Sequence, residues 1–268
     1  MENLTQQLAT FSDPPVVETV LSAQFEPIAG LKVSHFGLYW REIADRFPNT
    51  EERAEVKAVI ETFLEAPNFE SSVHFEALDV PPMPRVWFIN EVGTEVVQVQ
   101  RDRFIKNWRE QGSGEAYPRY PNLRMRFDAD FAHFTDFVKT NALGNIVVNQ
   151  CEVTYVNHVE GISASDVAKV FSVAAPAPGP HPGPIEAFSY SSRFVIKDRD
   201  GNPVGRLHVG IQSTKRATDG KPIIAMNLTA RGQIGSGLDF LDVGREWIVK
   251  SFKELTLAEM HEKWGLQA

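Results

Sequence analysis

The spacing of hydrophobic positions changes several times along this chain, and each change predicts an element. From Val16 to Glu26, Val17, Leu21, Ala23 and Phe25 fall on one side while Glu18, Ser22, Gln24 and Glu26 fall on the other. That period of two predicts a half-buried strand, bounded by Pro14, Pro15 and Pro27 because proline cannot continue a sheet ladder. Phe36, Trp40, Ile43 and Phe47 then recur at helical spacing, with Ser34 placed to cap the helix and Pro48 to stop it. Thr50 to Leu64 predicts a second helix, with Val56, Val59, Ile60 and Phe63 inward and an acidic first turn that suits the helix dipole.

A β pair follows, Arg85 to Asn90 and Glu95 to Arg101, turning around Gly93. Asp102 to Tyr120 has no clear period and reads as a loop or bulged strand followed by an irregular excursion. Pro121 opens a helix to Thr140, marked by Phe127, Phe131, Phe134 and Val138. Asn145 to Val159 is the most β-like segment. Ala174 to Pro184 is rich in proline and cannot form a ladder. Beyond it lies a meander of Ile185 to Lys197, Pro203 to Lys215 and Pro222 to Gly232, with Asp200-Gly201 and Asp219-Gly220 in its two connections. A helical stripe (Phe240, Val243, Trp247, Ile248, Phe252, Leu255) and a capping box of Thr256 and Glu259 before a last short helix complete the chain.

These elements predict an α+β protein: antiparallel sheet with amphipathic helices packed on one face, as two related β/α layers in one continuous sheet. The organisation expected is an N-terminal tail (1–13), an N-terminal α+β half (14–172), a Pro/Gly-rich loop (173–185), and a C-terminal meander with helices (186–268), the halves forming one compact unit. No internal repeat in the sequence establishes a duplication.

Composition narrows the function classes. The 268 residues carry 27 Lys and Arg against 35 Asp and Glu, a net charge of −8 that disfavours non-specific nucleic-acid binding. The single cysteine, Cys151, rules out an internal disulfide and a multi-cysteine metal site. No apolar run is long enough for a membrane span, and the N-terminus lacks a signal-peptide pattern, so a cytoplasmic location is expected. Dinucleotide, P-loop, zincin and α/β-hydrolase motifs do not occur. No cofactor is implied. His74 with Glu76, and His158 with Glu160, would each supply two ligands on a strand face, but nothing nearby adds a third, so no metal site is expected.

Candidate chemistry lies on the polar strand faces. Glu18, Gln24 and Glu26; Gln98 and Gln100; Gln150, Glu152, Thr154 and His158; and Arg206, His208 and Gln212 all alternate with apolar residues. A solvated sheet face is the bland explanation. A binding face is the alternative, since long amides are unusual strand residues when nothing engages them. Arg103, Asn107, Trp108 and Arg109, followed by Tyr117, Arg119 and Tyr120, could grip an anion or stack on a partner, or simply anchor an irregular loop. Cys151 and His158 have opposite strand parity and should face apart, which argues against a cysteine nucleophile.

The segments PPVVETVLSAQFEP, GLYWREIADRFP, VQVQRDRFIKNWR, YPRY and CEVTYVNHV resemble those of a sporadically distributed, uncharacterised prokaryotic protein family, over residues 14 to 160 and weakly at the C-terminal helix. The resemblance implies that Gln24, Gln98, Arg103, Asn107, Trp108, Arg109, Tyr117, Tyr120, Glu152, Tyr155, Asn157 and His158 belong to recurring motifs. Its patchy occurrence implies a mobile, accessory or defence-linked role.

Three functions are compatible with these features. The first is a non-enzymatic module binding a small ligand or a protein partner through Gln24, Gln98, Gln100, the Arg/aromatic loop and the Glu152–His158 strand. The second is a hydrolase or transferase acting on a small anionic substrate with Glu152 and His158. These two are six residues apart, about 20 Å along a strand, and cannot touch unless it bends. The third is a homo-oligomer paired through the meander's edge strands. The binding module is the expectation carried forward.

Overall fold

The structure, a computed structural model, describes residues 8–63, 83–112, 114–174, 183, 185–235 and 237–267. In chain order the elements are β1 (Thr10–Phe11), β2 (Val16–Phe25), α1 (Val33–Ile43), β3 (Asn49–Arg53), β4 (Arg85–Ile89), β5 (Glu95–Gln100), β6 (Arg103–Arg109) and α2 (Tyr120–Thr140). There follow β7 (Val148–Glu160), a short 3-10 helix (Ala164–Lys169), β8 (Ser189–Lys197), β9 (Pro203–Lys215), β10 (Pro222–Gly232), α3 (Phe240–Leu255), α4 (Ala258–Lys263) and β11 (Leu266–Gln267). The fold is α+β. Nine strands form one antiparallel sheet in the order β3-β4-β5-β6-β2-β7-β10-β9-β8, and β1 with β11 forms a separate two-stranded ribbon.

That order has an internal logic. In the first half a strand (β2) leads through a helix into a meander whose last strand, β6, returns to pair with β2. The second half repeats the plan: β7, the 3-10 helix, then a meander whose last strand, β10, pairs with β7. Each half closes with a long helix, α2 or α3, and the halves join where β2 runs antiparallel to β7.

Both long helices cover the same face. Leu21 lies opposite Val153, and Ala23 opposite Cys151, so the buried apolar positions of β2 and β7 point one way. Phe104 of β6 packs on Phe127, Phe131 and Phe134 of α2, and Phe25 meets Phe131 and Phe134. Tyr39 of α1 packs against Phe88 of β4 and against Phe134 and Phe137. In the second half, Gly205 and Gly232 are paired beneath Phe240, whose ring would stand 2.5 Å from a Cβ at either position. Absence of side chains there lets α3 settle onto β9 and β10.

Several expectations are corrected. Thr50 to Leu64 is not a helix: Asn49–Arg53 pairs with β4 as an edge strand, and residues 54–63 run on without regular structure. Its helical pattern is overridden by tertiary contacts, described below, that a helix could not reach. The first part of Asp102 to Tyr120 is neither a loop nor a bulged strand, because Arg103–Arg109 pairs without a register shift with both β5 and β2. The irregular excursion is residues 110–112 and 114–119, which hold no strand or helix. Lys106 on one face of that strand and Ile105 on the other break the hydropathy alternation, although Arg103, Lys106 and Asn107 are all buried. Lys106 reaches the helix-covered face, where Asp130 and Glu95 take its ammonium at 2.5 and 2.9 Å.

Smaller corrections concern termini. Helix α1 begins after Lys32, whose N–H donates to the His35 ring at 2.9 Å, so Ser34 is not its cap. Tyr39 is buried on the α1 stripe, and Trp40 is only half-buried. Thr256 does not cap α4. Its hydroxyl donates to the Phe252 carbonyl at 2.6 Å and meets His261 Nε2 at 2.8 Å. Within the N-terminal tail, Thr10 and Phe11 pair with Gln267 and Leu266. His74 and Glu76, Leu64, and most of the Pro/Gly-rich loop lie outside the described residues.

Candidate functional site

On the face away from the helices, register sets four long polar side chains in a row across the sheet. Gln100 of β5 stands opposite Arg103 of β6, Arg103 opposite Gln24 of β2, and Gln24 opposite Gln150 of β7. A primary amide carries one acceptor oxygen and two donor hydrogens, the same complement that a peptide group presents. The row is used in that way. Residues 55–63 cross the strands and lie over it.

The Val56 N–H donates to Gln100 Oε1 at 3.0 Å, and Gln100 Nε2 donates to the Val56 carbonyl at 2.9 Å. Next, the Val59 N–H donates to Gln24 Oε1 at 3.2 Å, while Gln150 Nε2 donates to the Val59 carbonyl at 3.2 Å. The Glu61 N–H then donates to Gln150 Oε1 at 2.9 Å. Arg103 donates to Gln24 Oε1 and, at 3.4 Å, to the Lys57 carbonyl. Crossing from β5 to β7 covers three strand spacings, about 14 Å. Five extended residues span that distance at about 3.3 Å each, and five helical residues at 1.5 Å do not. This geometry holds the segment open against its helical propensity.

The crossing ends in a cluster of charge. Glu61 receives Arg206 at 2.5 Å, His208 Nε2 at 2.7 Å and Arg231 at 3.5 Å, and its side chain is only 8% exposed. Burial alone would raise its carboxyl. Hydrogen bonds from His208 and Arg206, with the charges of His208 and Arg231, outweigh that and bring it down to about 2. Arg206 also donates to the Thr62 carbonyl at 2.6 Å, and its guanidinium lies 4.6 Å from the centre of the Phe63 ring. Outward from the sheet, Val59 and Ile60 are exposed.

The thirteen expected site residues are divided by the sheet. Gln24, Gln100 and Arg103 hold the crossing segment. Gln98 and Asn107 share the same face but bond each other at 2.6 Å, and Asn107 also donates to Glu18. Arg109 donates to the Gly93 carbonyl at 2.8 Å and lies over the Trp87 ring. Glu152 is taken by Arg231 at 2.6 Å. His158 stands at the far end of β7, its ring held below the ordinary histidine value by burial and then by Arg216.

The remaining five are on the helix-covered side. Trp108 is buried against Tyr117, whose hydroxyl meets that of Tyr155 at 3.1 Å. Tyr120 donates to Asp242 of α3 at 2.9 Å, and Asn157 donates to the Met226 carbonyl at 3.1 Å. Between them, Arg119 binds the carbonyls of Phe11 and Ser12 at 2.6 and 2.8 Å and so pins the N-terminal ribbon. Cys151 also faces the helices, and burial pushes its thiol up to about 12.

Glu61 and Arg231 were not among the expected site residues. Glu61 falls in the segment with helical periodicity, while Arg231 alternates with Asn227 and Thr229 along β10, the same kind of signal as in β7 and β9. Gln150, Arg206 and His208 did carry a signal, the polar alternation of β7 and β9. Among the described residues no three His, Cys, Asp or Glu side chains cluster to hold a metal ion, and no helix is long and apolar enough to cross a membrane. Compared with family models, curated proteins and solved structures, the chain matches none.

Proposed function

We propose that this chain is a non-enzymatic protein-binding module whose amide-lined sheet face takes up an extended acidic polypeptide segment, with residues 55–63 occupying that face in cis. The observation that carries the reading is the mode of contact. Gln100, Gln24 and Gln150 bond the main chain of the crossing segment, not its side chains. Such a row selects an extended backbone and tolerates many sequences. Selectivity then rests on the carboxylate held by Arg206, His208 and Arg231. In a chain of net charge −8, Arg103 in the row and Arg206 and Arg231 beyond its end, the last shared with Glu152, place positive charge where the segment's carboxylate lies, which suits an acidic occupant. An accessory role in a mobile or defence-linked prokaryotic system, as the family resemblance implies, is the setting proposed for such a module.

The test is a fluorescent peptide with the sequence of residues 54–63, titrated into full-length protein by anisotropy. Glu61→Ala weakens the intramolecular occupant and leaves the face intact, so this variant should bind the peptide at least tenfold more tightly than wild type. Adding Gln100→Ala and Gln150→Ala to it should abolish that binding. No binding to Glu61→Ala, or binding that survives loss of both glutamines, would overturn the reading.

A further inference from the structure

A second candidate site lies on the opposite side of the sheet. Between β2, β7, β10, α3 and the β1 ribbon is a cavity of about 340 Å3, within the size range of small-molecule sites. Phe11, Val16, Leu228, Ile248 and Phe252 give it apolar walls. Its polar lining includes the paired hydroxyls of Tyr117 and Tyr155, the Asn157 amide and two guanidinium groups, those of Arg119 and Arg245, with Thr10 and Gln267 at the ribbon. Arg245 is the unusual member. Its guanidinium lies 5.1 Å from the centre of the Tyr120 ring, and its Nε is buried with no hydrogen-bond partner. That nitrogen is enclosed by protein, so an acceptor in the cavity would meet the guanidinium at its terminal nitrogens.

We propose that this cavity binds a small amphipathic monocarboxylate, its apolar body against Phe11, Leu228, Ile248 and Phe252 and its carboxylate on Arg245. A carboxylate offers the planar acceptor pair that a guanidinium fork prefers. Of the two arginines lining the cavity, Arg119 already donates both terminal nitrogens to the Phe11 and Ser12 carbonyls, which leaves Arg245 as the fork open to one carboxylate. The Tyr117–Tyr155 hydroxyl pair can donate one further hydrogen bond to the same head group. This site is separate from the amide-lined face, and its ligand does not depend on what that face binds.

Decanoate and decanol, titrated calorimetrically into full-length protein, distinguish the two parts of the proposal. Wild type should bind decanoate saturably at one site and decanol more weakly. Arg245→Gln should weaken decanoate at least tenfold and leave decanol within a factor of two. Val249→Trp, which fills the cavity from α3, should remove both. Absence of saturable binding to wild type would overturn the proposal, as would an equal loss of both ligands in Arg245→Gln. Should Val249→Trp fail to fold, the charge-specific loss in Arg245→Gln still decides.

Discussion

Gln100 and Val56 exchange two hydrogen bonds, a side-chain amide reading both the N–H and the C=O of one residue as a neighbouring strand would. Residue 100 thus pairs with a chain that runs across its strand, not beside it. If this pairing fixes the crossing segment, Gln100→Leu should free Val56 and loosen the stretch that follows. The groups released can rehydrate, so the cost falls in the ordinary range of about 1–2 kcal/mol for two hydrogen bonds. Amide exchange at Val56 and Val59 should accelerate by about five- to thirtyfold, with strand amides of β5 unchanged.

Protonation offers a second handle on the same segment. The Glu61 carboxyl is brought from an ordinary 4.5 to about 2 in the folded protein. A depressed acid contributes stability that is present above its unfolded value and is lost as pH falls through the folded one. Protection of the Glu61 amide should therefore be flat from pH 7 to 5 and decline between about 4.5 and 2. In Glu61→Gln the decline should vanish from that window. Exchange rates corrected for intrinsic pH dependence measure both.

Lys106 is buried between Asp130 and Glu95, and Asp130 also takes Arg46 at 2.7 Å. Removing the ammonium leaves a buried carboxylate with one partner at its edge. Lys106→Met should lower stability by about 3–5 kcal/mol, the usual cost of breaking a buried pair from one side. Lys106→Met with Asp130→Leu should recover part of that loss. Urea denaturation of the three proteins provides the comparison.

Cys151 should be chemically silent. Its thiol is buried and pushed up to about 12, so almost no thiolate exists at neutral pH. Iodoacetamide should leave the native protein unmodified over hours at pH 7.5 and label it fully in denaturant, as read by intact mass.

Much of the sheet was legible because most strands are wet or polar on one face and dry on the other. β7 and β9 alternate along most of their length, and the Asp-Gly pairs at 200–201 and 219–220 place glycine at positive φ in both hairpin turns. β6 was not legible, since Lys106 stands on its apolar face and Ile105 on its polar one, so hydropathy along the strand does not alternate. The crossing segment misled for a different reason. Its amphipathic spacing is genuine, yet its backbone partners are glutamines from strands far away in sequence, and no local rule encodes them. The polar faces pointed to the amide row itself, while the tyrosines and Asn157, drawn into the same set by motif, belong to the other side of the sheet.

The junction of β2 with β7 has a kinetic consequence. Gln24 and Asn149, bonded across it, stand 125 positions apart in the chain. Closing so large a loop is entropically slow, whereas each meander assembles from neighbouring hairpins. During refolding, both half-sheets should therefore pass through a period with one long central strand unpaired along its edge. Such an edge accepts a strand from any nearby molecule, so the yield of native protein should fall steeply as the refolding concentration rises.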